Sequence, residues 1–165
     1  MVLRRVKCPL NHDVENFLWN KACDFEQRNL SRTSLVVTRD ANANNKLIFL
    51  GYFSVSIHVL RLPEGISNRL RQNLSGGNKN VESVPSFLIG QLAKNDEYKT
   101  LITGSDLLDY ALATIREARK LVGGRVVVVE CNHEPKLSDF YTANGFKYLG
   151  DNPANGLAQF FLKLR

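Results

Sequence analysis

The chain has 165 residues, of which 44% are hydrophobic and 23% charged. That length suits one compact domain over residues 1–165, and the composition excludes the disordered and collagen-like classes. Twenty-two lysines and arginines stand against 16 acids, a net charge of +6, which favours an anionic partner such as a phosphorylated cofactor, nucleic acid or an acidic protein. Cys8, Cys23 and Cys131 are too few and too scattered for a disulfide framework. No two of them sit at C-x-x-C spacing, and His12, His58 and His133 do not supply the close pairs that a zinc site uses, so no metal is expected. The opening MVLRRVKCPLNHD lacks the apolar core of a signal peptide. The longest apolar-rich stretch, Leu47 to Leu60, falls short of the about 20 residues of a membrane span. A cytoplasmic protein without a membrane anchor is expected.

In chain order, Val2 to Lys7 reads as a short strand. Asn11 or Asp13 then caps a helix whose apolar residues Phe17, Leu18, Ala22 and Phe25 recur at helical spacing. Ser34 to Arg39 and Lys46 to Leu60 read as a hairpin around the turn Asp40 to Asn45. The second strand alternates Phe53, Val55, Ile57 and Val59 with Ser54, Ser56 and His58, the period of a half-buried strand. Pro63 opens a short helix toward Leu74, which Ser75 to Asn78 breaks. The stretch from Gly76 to Glu82 reads as a mobile loop.

Pro85 to Ala93 is a near-continuous apolar run, the mark of a central strand buried on both faces. A long helix follows from about Thr103 to Leu121. Its stripe is Leu107, Leu108, Ala111, Leu112, Ile115 and Ala118, its capping box Thr103 with Asp106, and its stop Gly123-Gly124. Val126 to Val129 is a second central strand, so the segment from Pro85 to Glu130 is a βαβ unit with a parallel pair. Pro135 starts another helix and Gly145 stops it, before strands near Phe146 to Leu149 and Leu157 to Leu164. The fold class is mixed α/β, with an antiparallel N-terminal half and the βαβ unit behind it.

The informative corner lies between Ala93 and Gly104, where a buried strand feeds a helix. Backbone N–H groups at a helix start have no internal partners and carry partial positive charge, which makes such a turn a natural phosphate site. Lys94 and Lys99 add charge there, and Thr100, Thr103 and Ser105 add hydroxyls. Any strand-to-helix turn shares this character.

Three stretches together resemble the GNAT superfamily of acetyl-CoA-dependent N-acetyltransferases. They are Leu92 to Asp96 with Gly104 to Leu108, Val126 to Glu130, and Phe140-Tyr141-Thr142-Ala143-Asn144-Gly145-Phe146. The resemblance covers residues 85–150 well and the rest by element order. It implies a GNAT-like mixed sheet with a splayed central parallel pair, and direct attack of a substrate amine on the thioester. The family writes its pyrophosphate turn Q/R-x-x-G-x-G/A. Here Lys99-Thr100-Leu101-Ile102-Thr103-Gly104 fills that place, followed by Ser105, and Gly104 alone matches a glycine. Thr100 and Ile102 stand where glycines would let the backbone close on phosphate, and β-branched side chains resist positive φ. The resemblance further implies that the Leu92–Lys94 backbone pairs with pantetheine and polarises the thioester carbonyl. It casts Tyr141 as the acid for the leaving thiolate, a phenol of pKa about 10 serving a thiol of about 8.5. The competing reading of Tyr141 is a core aromatic packed on Phe140.

A base for the attacking amine can be sought in Glu82 or Glu130 by their proximity to the central strands; a solvated loop residue and a structural strand-end residue are the alternatives. His58 falls on the polar side of its strand, His133 reads as a surface residue, and Cys131 as small buried filler. Asp13 to Leu18, Leu50 to Ser54 and Leu88 to Ala93 look like the GNAT enzymes that act as toxins in toxin–antitoxin pairs and acetylate aminoacyl-tRNA. That implies tRNA and antitoxin partners, with a homodimer also open. A regulatory module of the same fold, with a degenerate cofactor turn, is the non-enzymatic alternative.

Overall fold

The computed structural model describes residues 6–9, 11–40 and 46–164. The segment before Val6 and the hairpin turn at 41–45 lie outside the described residues; Val6 and Lys7 are not in a strand. Among the described residues, six strands follow the hydrogen-bonded order β1-β2-β3-β4-β6-β5. They are β1 Arg32–Asp40, β2 Lys46–Arg61, β3 Ser83–Lys94, β4 Val126–Cys131, β5 Lys147–Asp151 and β6 Ala158–Lys163. The helices are α1 His12–Asn16 and α2 Ala22–Gln27, joined by a π-helical turn at Phe17–Lys21, then α3 Asn68–Ser75, α4 Gly104–Val122 and α5 Pro135–Ala143. The expected antiparallel hairpin is β1 on β2, and the expected parallel pair is β3 on β4.

The chain packs as two compact units, Met1–Ser56 with Gly90–Glu117 and Ile57–Ile89 with Ala118–Arg165. In the first, Val6, Phe17, Leu18, Ala22, Phe49 and Tyr52 form the core. Asn11 caps α1, accepting the Asp13 amide hydrogen, and the Ala22 amide reaches back five residues to the Phe17 carbonyl, which defines the wide turn. Phe17 and Phe25 then meet edge to face at 5.3 Å. The stripe of α4 is buried from Leu107 to Ile115. In the second unit, Leu60, Leu62, Leu74, Val84, Val126, Val128, Leu149 and Phe161 form a separate core.

Two expectations need correction. The short helix starts not at Pro63 but five residues later: Ser67 caps it by accepting the Leu70 amide hydrogen, and Gly76, at φ +85°, ends it. At the far end of the loop after it, Arg71 donates to the Val81 carbonyl and the Leu62 amide donates to the Glu82 carbonyl. The alternation in β2 is real but inverted beyond Val55. Ile57 and Val59 are 78% and 63% exposed, while Ser54 is buried and His58 half-buried. The register with β1 ends at Val55, so the last residues of β2 run past that neighbour.

Candidate active site

The corner expected to hold phosphate is built around Asn95. A bulge lets β2 carry one extra residue, Leu50, between its pairings with Val36 and Val37. The Leu50 carbonyl accepts the Asn95 amide at 2.8 Å, and the neighbouring Phe49 carbonyl accepts the Asn95 side-chain amide at 2.8 Å. The Asn95 Oδ1 in turn accepts the backbone N–H of Lys7 and of Glu97. With no surface exposed, this asparagine fixes where β3 ends and the following 3-10 turn, Asp96–Tyr98, begins. Gly51 permits the close approach of β2 and β3: a Cβ there would lie 2.6 Å from the Ala93 carbonyl oxygen. The Lys94 carbonyl accepts from the Cys8 thiol, whose burial first, and then the charge of Asp96, push its pKa up to about 12.

From Lys99 to Gly104 the loop takes a course that its β-branched residues can adopt. Asn29 is the one non-glycine residue at positive φ among the described residues, so neither Thr100 nor Ile102 is forced left-handed. Ile102 is buried, and its side chain turns into the protein, while Thr100 and Leu101 face out. The Lys94 ammonium lies under the loop, 3.4 Å from the Lys99 and Ile102 carbonyls. Thr103 and Asp106 form the expected capping box: the Thr103 hydroxyl accepts the Asp106 amide, and the Asp106 carboxylate accepts the Thr103 amide and hydroxyl. These bonds hold the Asp106 carboxyl below its usual range, the hydroxyl contact contributing most.

Thr103 is therefore committed to its cap and is not a spare donor. What the turn offers an anion is the pair of backbone N–H groups of Gly104 and Ser105, which have no partner among the described residues. The exposed Lys99 and the hydroxyls of Thr100 and Ser105 stand with them. This is a helix-start site without a glycine nest, and Asp106 brings a carboxylate to it. Before the turn, the register of β3 with β4 covers only Phe87–Ile89. The strand continues through Gly90 to Lys94, carrying Leu92, Ala93 and Lys94 beyond its last residue paired with β4.

In the second unit, Tyr141 sits on α5 among aromatic rings. Phe140, Phe146 and Phe160 lie with ring centroids 5.1, 5.7 and 6.0 Å from it. The ring packs in the core as the structural reading of this residue expects, and its hydroxyl has no hydrogen-bond partner among the described residues. Burial first, and the Cys131 thiol second, push its pKa upward, so the phenol holds its proton at neutral pH.

Glu130 is a structural carboxylate. It accepts from the side-chain amides of Asn152, Gln159 and Asn155 at 2.8, 2.7 and 3.0 Å. Burial alone would raise its pKa, but these three bonds and the nearby His58 outweigh that and hold it low. A carboxylate so occupied is a poor base. Glu82 is an exposed loop residue, and His133 is exposed and contacts Asp151 and the Gly156 carbonyl. Sequence reading missed the roles of Asn95 and of the three amides around Glu130, because Asn95 meets Phe49 and Lys7, and Glu130 its three amides, across long stretches of chain.

No protein-family model matches the sequence, and no curated protein matches it either. Solved structures do match. A tyrosine-to-phenylalanine mutant of KacT superimposes with a TM-score of 0.74 at 20% identity, covering 96% of this chain and 85% of that one. AtaT complexed with acetyl-methionyl-tRNAfMet gives 0.72 at 20%, with 98% and 86% covered. A tyrosine-to-phenylalanine AtaT mutant bound to acetyl-CoA and the C-terminus of the antitoxin AtaR gives 0.67 at 17%, with 98% and 84% covered. KacT and AtaT are toxin-type GNAT acetyltransferases, and this chain has their fold.

Proposed function

We propose that the protein is an acetyl-CoA-dependent N-acetyltransferase in which a substrate amine attacks the thioester directly. The observation that carries this reading is the likeness, over 98% of the chain, to AtaT, a protein solved with acetyl-CoA bound. The residues present fit that substrate, since the Gly104 and Ser105 amides, with Lys99 and the Thr100 and Ser105 hydroxyls, can receive the diphosphate. The Lys94 ammonium, Leu101 and the buried Ile102 shape the loop that leads there, and Thr103 holds the helix start open through its cap. The Leu92–Lys94 backbone supplies an extended edge for pantetheine, and an N–H of that edge serves as donor to the thioester oxygen.

Tyr141 donates a hydrogen bond to the departing sulfur. Its raised pKa suits it to donating while keeping its proton, because a phenolate among Phe140, Phe146 and Phe160 would lack solvation. The neutral amine attacks the carbonyl carbon to form the new C–N bond, the C–S bond breaks, the nitrogen gives up one proton to solvent, and the CoA thiolate and the amide are released. The test is a melt followed by an assay. Acetyl-CoA at 100 times its Kd should add about 2.7 kcal/mol of stability. Tyr141→Phe should cut kcat by about 10²–10³-fold while keeping that stabilisation. An absent thermal shift at millimolar acetyl-CoA overturns the enzyme reading and leaves the regulatory module.

A narrower form of the proposal takes the α-amine of an aminoacyl-tRNA as acceptor and an antitoxin as partner. It is favoured by the AtaT complexes with acetyl-methionyl-tRNAfMet and with AtaR. Acetylation of small amines with charged tRNA left untouched would exclude it.

A further inference from the structure

β4 is a run of four valines followed by Glu130 and Cys131. Side chains alternate across a strand, so Val126, Val128 and Glu130 share one face and Val127, Val129 and Cys131 the other. Val126 and Val128 lie in the core of the second unit, which puts the Glu130 carboxylate at the end of that apolar row. Pairing with β3 stops at Val129, one residue before it.

The three amides that hold this carboxylate also prepare it. Asn152 and Asn155 use their oxygens inside the β5–β6 loop: the Asn152 Oδ1 accepts the Ala154 amide at 2.9 Å, and the Asn155 Oδ1 accepts the Leu157 amide at 3.0 Å. Their NH2 ends are thereby turned to Glu130. Gln159, opposite Glu130 in register, is 5% exposed. A carboxylate has about four acceptor positions, two on each oxygen. Oε1 uses both, for Asn152 and Gln159, while Oε2 uses one, for the exposed Asn155, and keeps the other. Among the described residues no lysine or arginine pairs with Glu130, in a chain that carries 22 of them. The half-buried group thus holds a full negative charge, oriented by neutral donors, with an acceptor position to spare. A loop anchor alone would be served by a neutral acceptor, without the desolvation that a charge incurs.

Tyr141 stands toward the other face of this strand end, where the Cys131 thiol bears on its phenol. In the transfer proposed above the sulfur departs toward Tyr141. A nucleophile adds to a carbonyl carbon from above the plane of the thioester, so nitrogen and sulfur are set apart about that carbon. The face left for the nitrogen is the one that carries Glu130.

We propose that Glu130 is the specificity-determining contact of the acceptor, its remaining Oε2 position binding the positively charged nitrogen of a primary amine. This rests on the acetyltransferase reading. The arriving ammonium gives one proton to water, the neutral amine forms the C–N bond, and the nitrogen is positive again in the adduct. It gives a second proton to water as the C–S bond breaks and the CoA thiolate leaves. Glu130 takes no proton at any stage and stabilises the two cationic ones. The substrate class is an amine with no anionic group beside it. Esters and amides of amino acids fit; free amino acids, whose carboxylate would meet Glu130, do not.

The probes are L-leucine methyl ester, a cation, and N-acetyl-L-leucine methyl ester, its neutral counterpart. Each is titrated into the isotope-labelled full chain, and the side-chain NH2 signals of Asn152, Asn155 and Gln159 are followed by NMR. The ester should move the Asn155 and Gln159 signals saturably and the neutral probe should not. Glu130→Gln should weaken that response at least about tenfold. Acetyl transfer to the ester should show the same split, KM for the ester rising about tenfold in Glu130→Gln while KM for acetyl-CoA stays unchanged. Equal movement with both probes, or none with the ester, overturns the proposal, and so does a KM for the ester that Glu130→Gln leaves unchanged. Should that variant melt early, the probe pair decides on the wild type alone. An absent acetyl-CoA thermal shift strikes the enzyme reading; silent amide signals beside a normal thermal shift strike the Glu130 contact alone.

Discussion

Replacing Asn95 by alanine tests whether one side chain sets the start of the cofactor loop. The substitution removes the donor to the Phe49 carbonyl and the acceptor shared by the Lys7 and Glu97 amides. The first of these bonds is fully buried and the other two partly so. An orphaned buried group costs about 1–3 kcal/mol and a partly exposed one about 1 kcal/mol, so the loss should total about 3–5 kcal/mol. For a chain of this size each kcal/mol moves Tm by about 2–4 °C, which predicts a fall of roughly 10 °C in a calorimetric melt. The affinity for acetyl-CoA, measured by titration calorimetry below the new Tm, should drop as well, because the 3-10 turn at Asp96–Tyr98 loses its cap. A fall of less than about 3 °C with unchanged affinity would refute the role given to Asn95.

Other perturbations have equally direct readouts. Glu130→Gln leaves one acceptor oxygen for three amide donors and should cost about 1 kcal/mol, modest because the carboxylate is half-exposed. Its folded pKa lies below the ordinary 4.5, so the stabilisation is present above that value and fades as pH falls through the folded pKa. Urea midpoints of wild type and variant should accordingly differ most near pH 7 and converge in acid; divergence in acid would reject the assignment. Gly51→Ala drives a Cβ to 2.6 Å from the Ala93 oxygen and should cost about 1–3 kcal/mol and diminish the acetyl-CoA thermal shift, whereas wild-type behaviour in both would show that β2 can give way. Ser67→Ala should cost about 1 kcal/mol and Pro63→Ala much less, the reverse order favouring a helix start at the proline.

The parts of the fold governed by local rules were legible. Val126 to Val129 is a β-branched run and is a fully buried strand; Leu107 to Ile115 keeps helical spacing and is a buried stripe; Thr103 and Asp106 cap each other as their three-residue separation suggests. Local pattern could not say which side of β2 faces inward, because alternation gives two faces and the neighbouring strands decide between them; hence the exposure of Ile57 and Val59. Nor could it say how Thr100 and Ile102 escape the strain that glycines avoid, since the answer is a core site for the Ile102 side chain. Asn95 reads in sequence as an ordinary turn residue; its weight comes from Phe49, 46 positions away, and Lys7, 88 away.

The wide turn at Phe17–Lys21 bears on how distant homologues are compared. Its five-residue hydrogen-bond step takes up one residue more than a regular helix would over the same turn. A counterpart with an unbroken helix there is one residue shorter between Phe17 and Ala22. An alignment that opens no gap at this place slides every later position by one. With about 20% identity to work from, such a slip would hide the correspondence of the aromatic pair Phe17 and Phe25.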